Sequence, residues 1–190
     1  RDALRLLLER VVMPSWIFNG RTLAGWHAIG GGTWTVEEGA IVGRARQDEK
    51  AHGLLVSDAV YDDFEVTFEY RVLEGDSGFY FRVDEVGGGV GMHGFQVEVD
   101  DVEPGGLYET GGRAWVIKPT PEEAQAWHRS GEWTHVELVA VGSSLRVTVN
   151  GIETARLEND EGRKSGHFAL QLHGGQDMDV AYRNIVVRER

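Results

Sequence analysis

The chain has 190 residues, 41% of them hydrophobic, no cysteine and a formal net charge of −12. That length and apolar content suffice for one domain with a real core and no disulfide or metal staple. The missing thiol excludes cysteine nucleophiles, Cys-ligated zinc and disulfides, and the acidic balance argues against nucleic acid and anionic membrane as partners.

Leu4, Leu7, Leu8 and Val11 recur at helical spacing and predict a short amphipathic helix over 2–12, stopped by Pro14. Residues 1–13 are thus expected as a helical lead-in to a single sandwich domain over 14–190. No run approaches the ~20 apolar residues of a membrane span. Arg5, Glu9 and Arg10 interrupt the opening stretch, so it is not a signal peptide. The start at Arg1 rather than Met is read as that of an excised domain or a trimmed chain, either of which could have lost a leader.

From there the pattern is β throughout. Strands are predicted at 33–39, 40–45, 53–57, 64–72, 78–83, 94–100, 134–141, 145–149, 153–157, 167–173 and 180–189. Gly or Asp/Asn separates them, and Asn150-Gly151 between two alternating runs signals a tight hairpin. Strands this dense predict an all-β fold, an antiparallel sandwich or barrel. Between about 102 and 132 no strand is predicted. Thr120-Pro121-Glu122-Glu123 there reads as a capping box opening a small helix, and the stretch is expected to fold over one sheet face.

Phase picks out candidate site residues. In 64–72, Glu69 and Arg71 oppose Phe68 and Tyr70; in 78–83, Tyr80 and Arg82 oppose Phe79 and Phe81. In 94–100, Gln96, Glu98 and Asp100 oppose Phe95, Val97 and Val99; in 167–173, Gln171 and His173 oppose Leu170 and Leu172. If the four strands share a sheet, one face presents Glu69, Arg71, Tyr80, Arg82, Gln96, Glu98, Gln171 and His173, that is two Arg, two Glu, two amides, a Tyr and a His. Such a set suits hydroxyl recognition and acid–base chemistry; the other reading is a salt-bridged outer face. Six tryptophans in an acidic, glycine-rich chain also fit sugar binding, or a core that simply buries them.

Other motifs carry less. Gly89-Val90-Gly91-Met92-His93-Gly94 matches G-x-G-x-x-G, but a strand rather than a helix follows, so it is read as a loop. The histidines are scattered and no H-E-x-x-H or G-x-S-x-G occurs. No cofactor is expected. Asp177 and Asp179, or Asn159-Asp160-Glu161, admit a structural calcium as well as ordinary turn chemistry.

The ordered set "IFNGRTLAGW" (17–26), "TWTVEEGAIV" (33–42), "DFEVTFEYRV" (63–72), "DSGFYFRV" (76–83), "GFQVEVDD" (94–101), "GGLYETGGRAW" (105–115), "GEWTHVEL" (131–138), "LQLHGG" (170–175) and "YRNIVVRE" (182–189) resembles the 3-keto-disaccharide hydrolase domain family. The resemblance covers roughly 16–189 and implies a concanavalin-like jelly-roll sandwich. It implies cleavage of glycosides already oxidised at C3 by a partner sugar oxidoreductase, through loss of the C2 proton, β-elimination and hydration. It also implies a periplasmic or extracellular location. Under it, Glu69, Glu98 and His173 are the acid–base candidates, and Arg71 and Arg82 hold the enediolate. Gln96, Gln171, Tyr80, Tyr108, Arg113, Trp115 and Lys118 bind substrate. Family members commonly show aromatic-Glu-x-Gln at this strand; here Phe95-Gln96-Val97-Glu98 exchanges amide and carboxylate, so either Glu98 takes over the chemistry or the substrate differs, and Glu98 is the first place to look. Two further readings stand beside this one: a non-catalytic carbohydrate-binding module, and a structural domain of a larger secreted or surface protein.

Overall fold

The structure, a computed structural model, describes residues 13–85 and 91–190. The helix expected over 2–12 lies outside them. Two antiparallel sheets face one another. The back sheet runs β13 (Ile152–Leu157), β12 (Ser144–Val149), β11 (Thr134–Val141), β6 (Phe64–Glu74), β15 (Met178–Glu189), β4 (Ala40–Ala45), β3 (Thr33–Glu37), with β1 (Ser15–Trp16) paired to β15. The front sheet runs β10 (Ala114–Ile117), β9 (Leu107–Thr110), β8 (Met92–Val99), β7 (Ser77–Glu85), β14 (Gly166–Leu172), β5 (Gly53–Tyr61), β2 (Trp26–Gly30). The fold is the expected β-sandwich. Among the described residues its one helix is α1 (Pro121–Ala124), opened by the Thr120–Glu123 capping box.

Alternation builds the core. Phe64, Val66, Phe68 and Tyr70 of β6 point inward and are fully buried, as are Phe79 and Phe81 of β7, Phe95 and Val97 of β8, and Phe168 and Leu170 of β14. Phe68 stacks on Phe79 with centroids 4.1 Å apart, and Phe64 meets Phe168 edge-on at 4.8 Å. Each such side chain contributes roughly 1.5–3 kcal/mol of burial. These contacts cross between sheets, which corrects one expectation: β6 is not in the sheet of β7, β8 and β14. Inward phase is the same in both sheets, so alternation alone cannot tell them apart.

Two further corrections bear on the site. The stretch from 102 to 132 does contain strands, since β9 and β10 form a hairpin that extends the front sheet beyond β8. Gly111-Gly112 turns it, with Gly111 and Ala114 at φ 71° and 62°. The alternation also fails at Arg82, where φ is 52° and the β7–β8 register shifts between Phe81 and Asp84. A bulge re-aims the side chain there. The hairpin expected at Asn150-Gly151 joins β12 to β13, with φ of 48° and 83° as a type I′ turn requires.

Candidate functional site

The site lies on the outer face of the front sheet, where register places its residues. Trp115 pairs with Tyr108, Tyr108 with Gln96, and Gln96 with Tyr80. One row thus crosses β10, β9, β8 and β7, with strands about 4.8 Å apart. On the next row of the same face Glu98 stands opposite Gly78. Gly78 leaves the space that the amides fill: a Cβ there would lie 2.6 Å from Gln96 Oε1 and 3.4 Å from Gln171 Oε1. The result is a concavity of about 300 Å³ whose lining includes Tyr80, Gln96, Glu98, Tyr108, Trp115, Gln171 and His173. His52, Asp76, Asp100, Glu103 and Thr110 complete the lining.

Its polar groups are held, and several are deeply buried. Gln96, Glu98, Asp100 and Gln171 are only 5–7% exposed. Gln96 Nε2 donates to Glu98 Oε1 at 2.5 Å, while Gln96 Oε1 is buried without a partner. Gln171 Nε2 donates to the Tyr80 hydroxyl at 3.1 Å. Asp100 Oδ1 accepts from the Val102 and Glu103 amides at 3.1 and 2.7 Å.

Burial, then the negative charges of Asp76 and Asp100, push the Glu98 carboxyl up to about 9, so it is protonated at neutral pH. Asp100 is pushed up to about 7, chiefly by burial, and burial also raises Asp76. Tyr80 is raised by burial and stays a phenol.

Two imidazoles flank the acidic cluster. His52 is lowered by burial and then by His173, whose ring meets it edge-on at 4.5 Å. The Gly174 amide donates to His52 Nδ1 at 3.0 Å. His173 Nδ1 lies 3.0 Å from the Gly174 carbonyl. A carbonyl only accepts, so Nδ1 carries the proton and the Nε2 lone pair is left free.

Asp76, Glu98 and Asp100 can each bring a carboxylate oxygen within 4.8 Å of the others, and among the described residues they are the set with metal-ligand spacing. Three of the residues expected for calcium have protein partners of their own. Asp179 pairs with Arg44, Asp177 accepts from the Gln47 amide, and Asp160 is held by Arg113 and the Gly162 amide.

Five expected residues lie elsewhere. Glu69 and Arg71 project from β6 on the outer face of the back sheet, across the core from the concavity. Glu69 Oε2 accepts from Arg183 Nε at 2.6 Å, and Arg71 lies 4.9 Å from the Trp133 ring centroid. Arg82, turned by its bulge, is 1% exposed and donates to the Asp62 and Gly142 carbonyls at 2.8 and 2.9 Å at the sandwich edge. Arg113 clamps the β9–β10 turn through Glu109 and Asp160. Lys118 pairs with Glu103 at 3.2 Å and lies 4.8 Å from the Trp115 ring centroid, next to two lining residues without lining the concavity itself.

Sequence reasoning assigned no role to His52, Asp76, Glu103 or Thr110. Asp76 had a usable signal, since it continues the Gly78, Tyr80 phase. His52 had none, because its neighbour His173 comes from a distant strand.

Two facing antiparallel sheets, with a polar, aromatic-walled concavity on one of them, define a jelly-roll sandwich fold. Within it, the chain belongs to the 3-keto-alpha-glucoside-1,2-lyase-like domain family, whose model matches residues 15–188. A candidate glycosyl hydrolase from Parabacteroides distasonis shares the fold with a TM-score of 0.67 and 19% identity, over 93% of this chain and 94% of that one. The carbohydrate-binding module CBM66 from Bacillus subtilis gives 0.63 and 17%, over 87% and 96%. A galectin-like protein, also from Bacillus subtilis, gives 0.65 and 14%, over 86% and 89%. No curated protein matches the sequence.

Proposed function

We propose that this domain cleaves 3-keto-glycosides at the front-sheet concavity. A C3 ketone acidifies the C2–H. A base removes that proton, the group at C1 departs with its electron pair, and water adds to the resulting enone. The steps call for a base, a donor to the enediolate oxygen and an acid for the leaving oxygen.

The carrying observation is a proton donor and a proton acceptor in one cavity: a Glu98 carboxyl kept neutral by burial, and the His173 imidazole whose Nδ1 faces the Gly174 carbonyl, leaving Nε2 toward the concavity it lines. His173, with Nε2 free, takes the C2 proton. Glu98 gives its proton to the leaving oxygen. The Tyr80 hydroxyl and the Gln171 amide donate to the enediolate, while Trp115 and Tyr108 wall the sugar ring. An oxidoreductase acting on C3 supplies the substrate, and a periplasmic or extracellular setting suits the pair.

Incubation with 3-keto-trehalose, and in parallel with trehalose, tests the proposal. Glucose release from the keto sugar alone is expected. No release from any keto substrate, beside measurable binding of plain oligosaccharides, sinks it in favour of the binding-module reading, which the Tyr108–Trp115 wall also fits.

A further inference from the structure

On the opposite face of the molecule, Val42, Ala181 and Arg71 lie side by side in one cross-strand row of the back sheet. Two short side chains beside a long one leave a trough. Ala40, Val42 and Ala181 form its apolar floor, with Trp133 packed against them. Its volume is about 410 Å³, room for one sugar ring.

The other cations here are paired. Arg44 forks onto Glu37 at 2.6 and 3.0 Å and reaches Asp179 at 3.3 Å; Arg183 holds Glu69. Arg71 is different. Its Nε is buried without a hydrogen-bond partner, and no described residue supplies its guanidinium with an ion pair. Leaving a desolvated N–H without an acceptor is costly, and this one stands in a protein of net charge −12 with carboxylates to spare.

We infer that this trough binds a saccharide bearing a carboxylate, of the uronic acid type, with Arg71 gripping the carboxylate. A planar guanidinium matches a carboxylate in two parallel hydrogen bonds. The ring's C–H face lies on Val42, Ala181 and the Trp133 edge. Hydroxyl groups donate to Glu37, Glu38 and Asp179. Those same carboxylates repel a bare sulfate, which has no protons to offer them. The inference takes only the ligand class, carbohydrate, from the front-face reading, and the two sites are independent.

Titration of ¹⁵N-labelled protein with methyl β-D-glucuronide, reading the Arg71 Nε–H and Trp133 Nε1–H signals, tests it. Saturable shifts at both are expected, with binding at least 10-fold weaker in Arg71→Gln and partly restored in Arg71→Lys. Methyl β-D-glucoside and sulfate are each expected to bind at least 10-fold more weakly than the glucuronide. Glu98→Gln leaves glucuronide binding unchanged, so failure of the front-face chemistry would not disturb this result. Silent Arg71 and Trp133 signals, unchanged affinity in Arg71→Gln, sulfate competing as well as the glucuronide, or loss of binding in Glu98→Gln would each overturn it.

Discussion

Gln96 and Glu98 project from the same face of β8, and the amide of one donates to the carboxyl of the other at 2.5 Å. Both groups line one wall of one cavity. The ionisable member sits one row along from the amide, opposite Gly78 rather than Tyr80.

If Glu98 is the acid, Glu98→Gln should lower release from 3-keto-trehalose by about 10² or more, and His173→Ala by a similar factor. Binding of the unoxidised sugar should change far less. Steady-state kinetics on both variants checks this; a full rate in either removes that residue from the mechanism.

The same carboxyl makes a stability prediction. Its folded pKa, about 9, stands above the ordinary 4.5. Between those values the folded state holds a proton that the unfolded chain has lost, so stability falls as pH rises through the window. Asp100, raised from 3.8 to about 7, acts in the same direction. The thermal midpoint of the wild type should therefore drop from pH 5 to pH 9 by more than that of Glu98→Gln. Parallel midpoint curves for the two proteins would show that Glu98 ionises normally.

Gly78→Ala puts a methyl group 2.6 Å from Gln96 Oε1, the mobile end of a side chain. The amide can yield, so the stability cost should stay near ~1 kcal/mol. Gln96 can no longer hold Glu98 in place, and turnover should fall roughly 10-fold or more, since small misplacements at a reacting centre are costly. Denaturant melts and turnover measured side by side would separate the two effects.

Arg82 should matter to folding and not to chemistry. Arg82→Met removes charge-assisted bonds to the Asp62 and Gly142 carbonyls and is expected to destabilise by about 2–3 kcal/mol. Turnover per folded molecule should be unchanged. A specific loss of turnover would return Arg82 to the site.

Much of this architecture was legible in the chain. Period-two alternation located the long strands, and Asn150-Gly151 and the Thr120 capping box marked their turn and helix. What alternation could not carry was membership. Phe68 and Phe79 both read as inward, and nothing local says that they approach from opposite sheets. Glu69 and Arg71 were grouped with Glu98 for that reason. Arg82 escaped because a single bulge shifts phase without changing composition. The β9–β10 hairpin was missed because four-residue strands give alternation too little length, although Gly111-Gly112 marks its turn. Within the polar phase of β8 and β14, Gln96, Glu98, Gln171 and His173 do come together.

The two kinds of group in the concavity have different mechanical backing. Glu98, Tyr80 and Gln171 sit on strands flanked on both sides by others, while Tyr108 and Trp115 ride on the sheet-edge hairpin. On the proposed chemistry, drift in that hairpin's length or sequence would alter which sugars are admitted without disturbing the proton-handling groups beneath. Selectivity and reactivity would then be separately inheritable, and relatives with different edge hairpins should share a reaction while differing in taste.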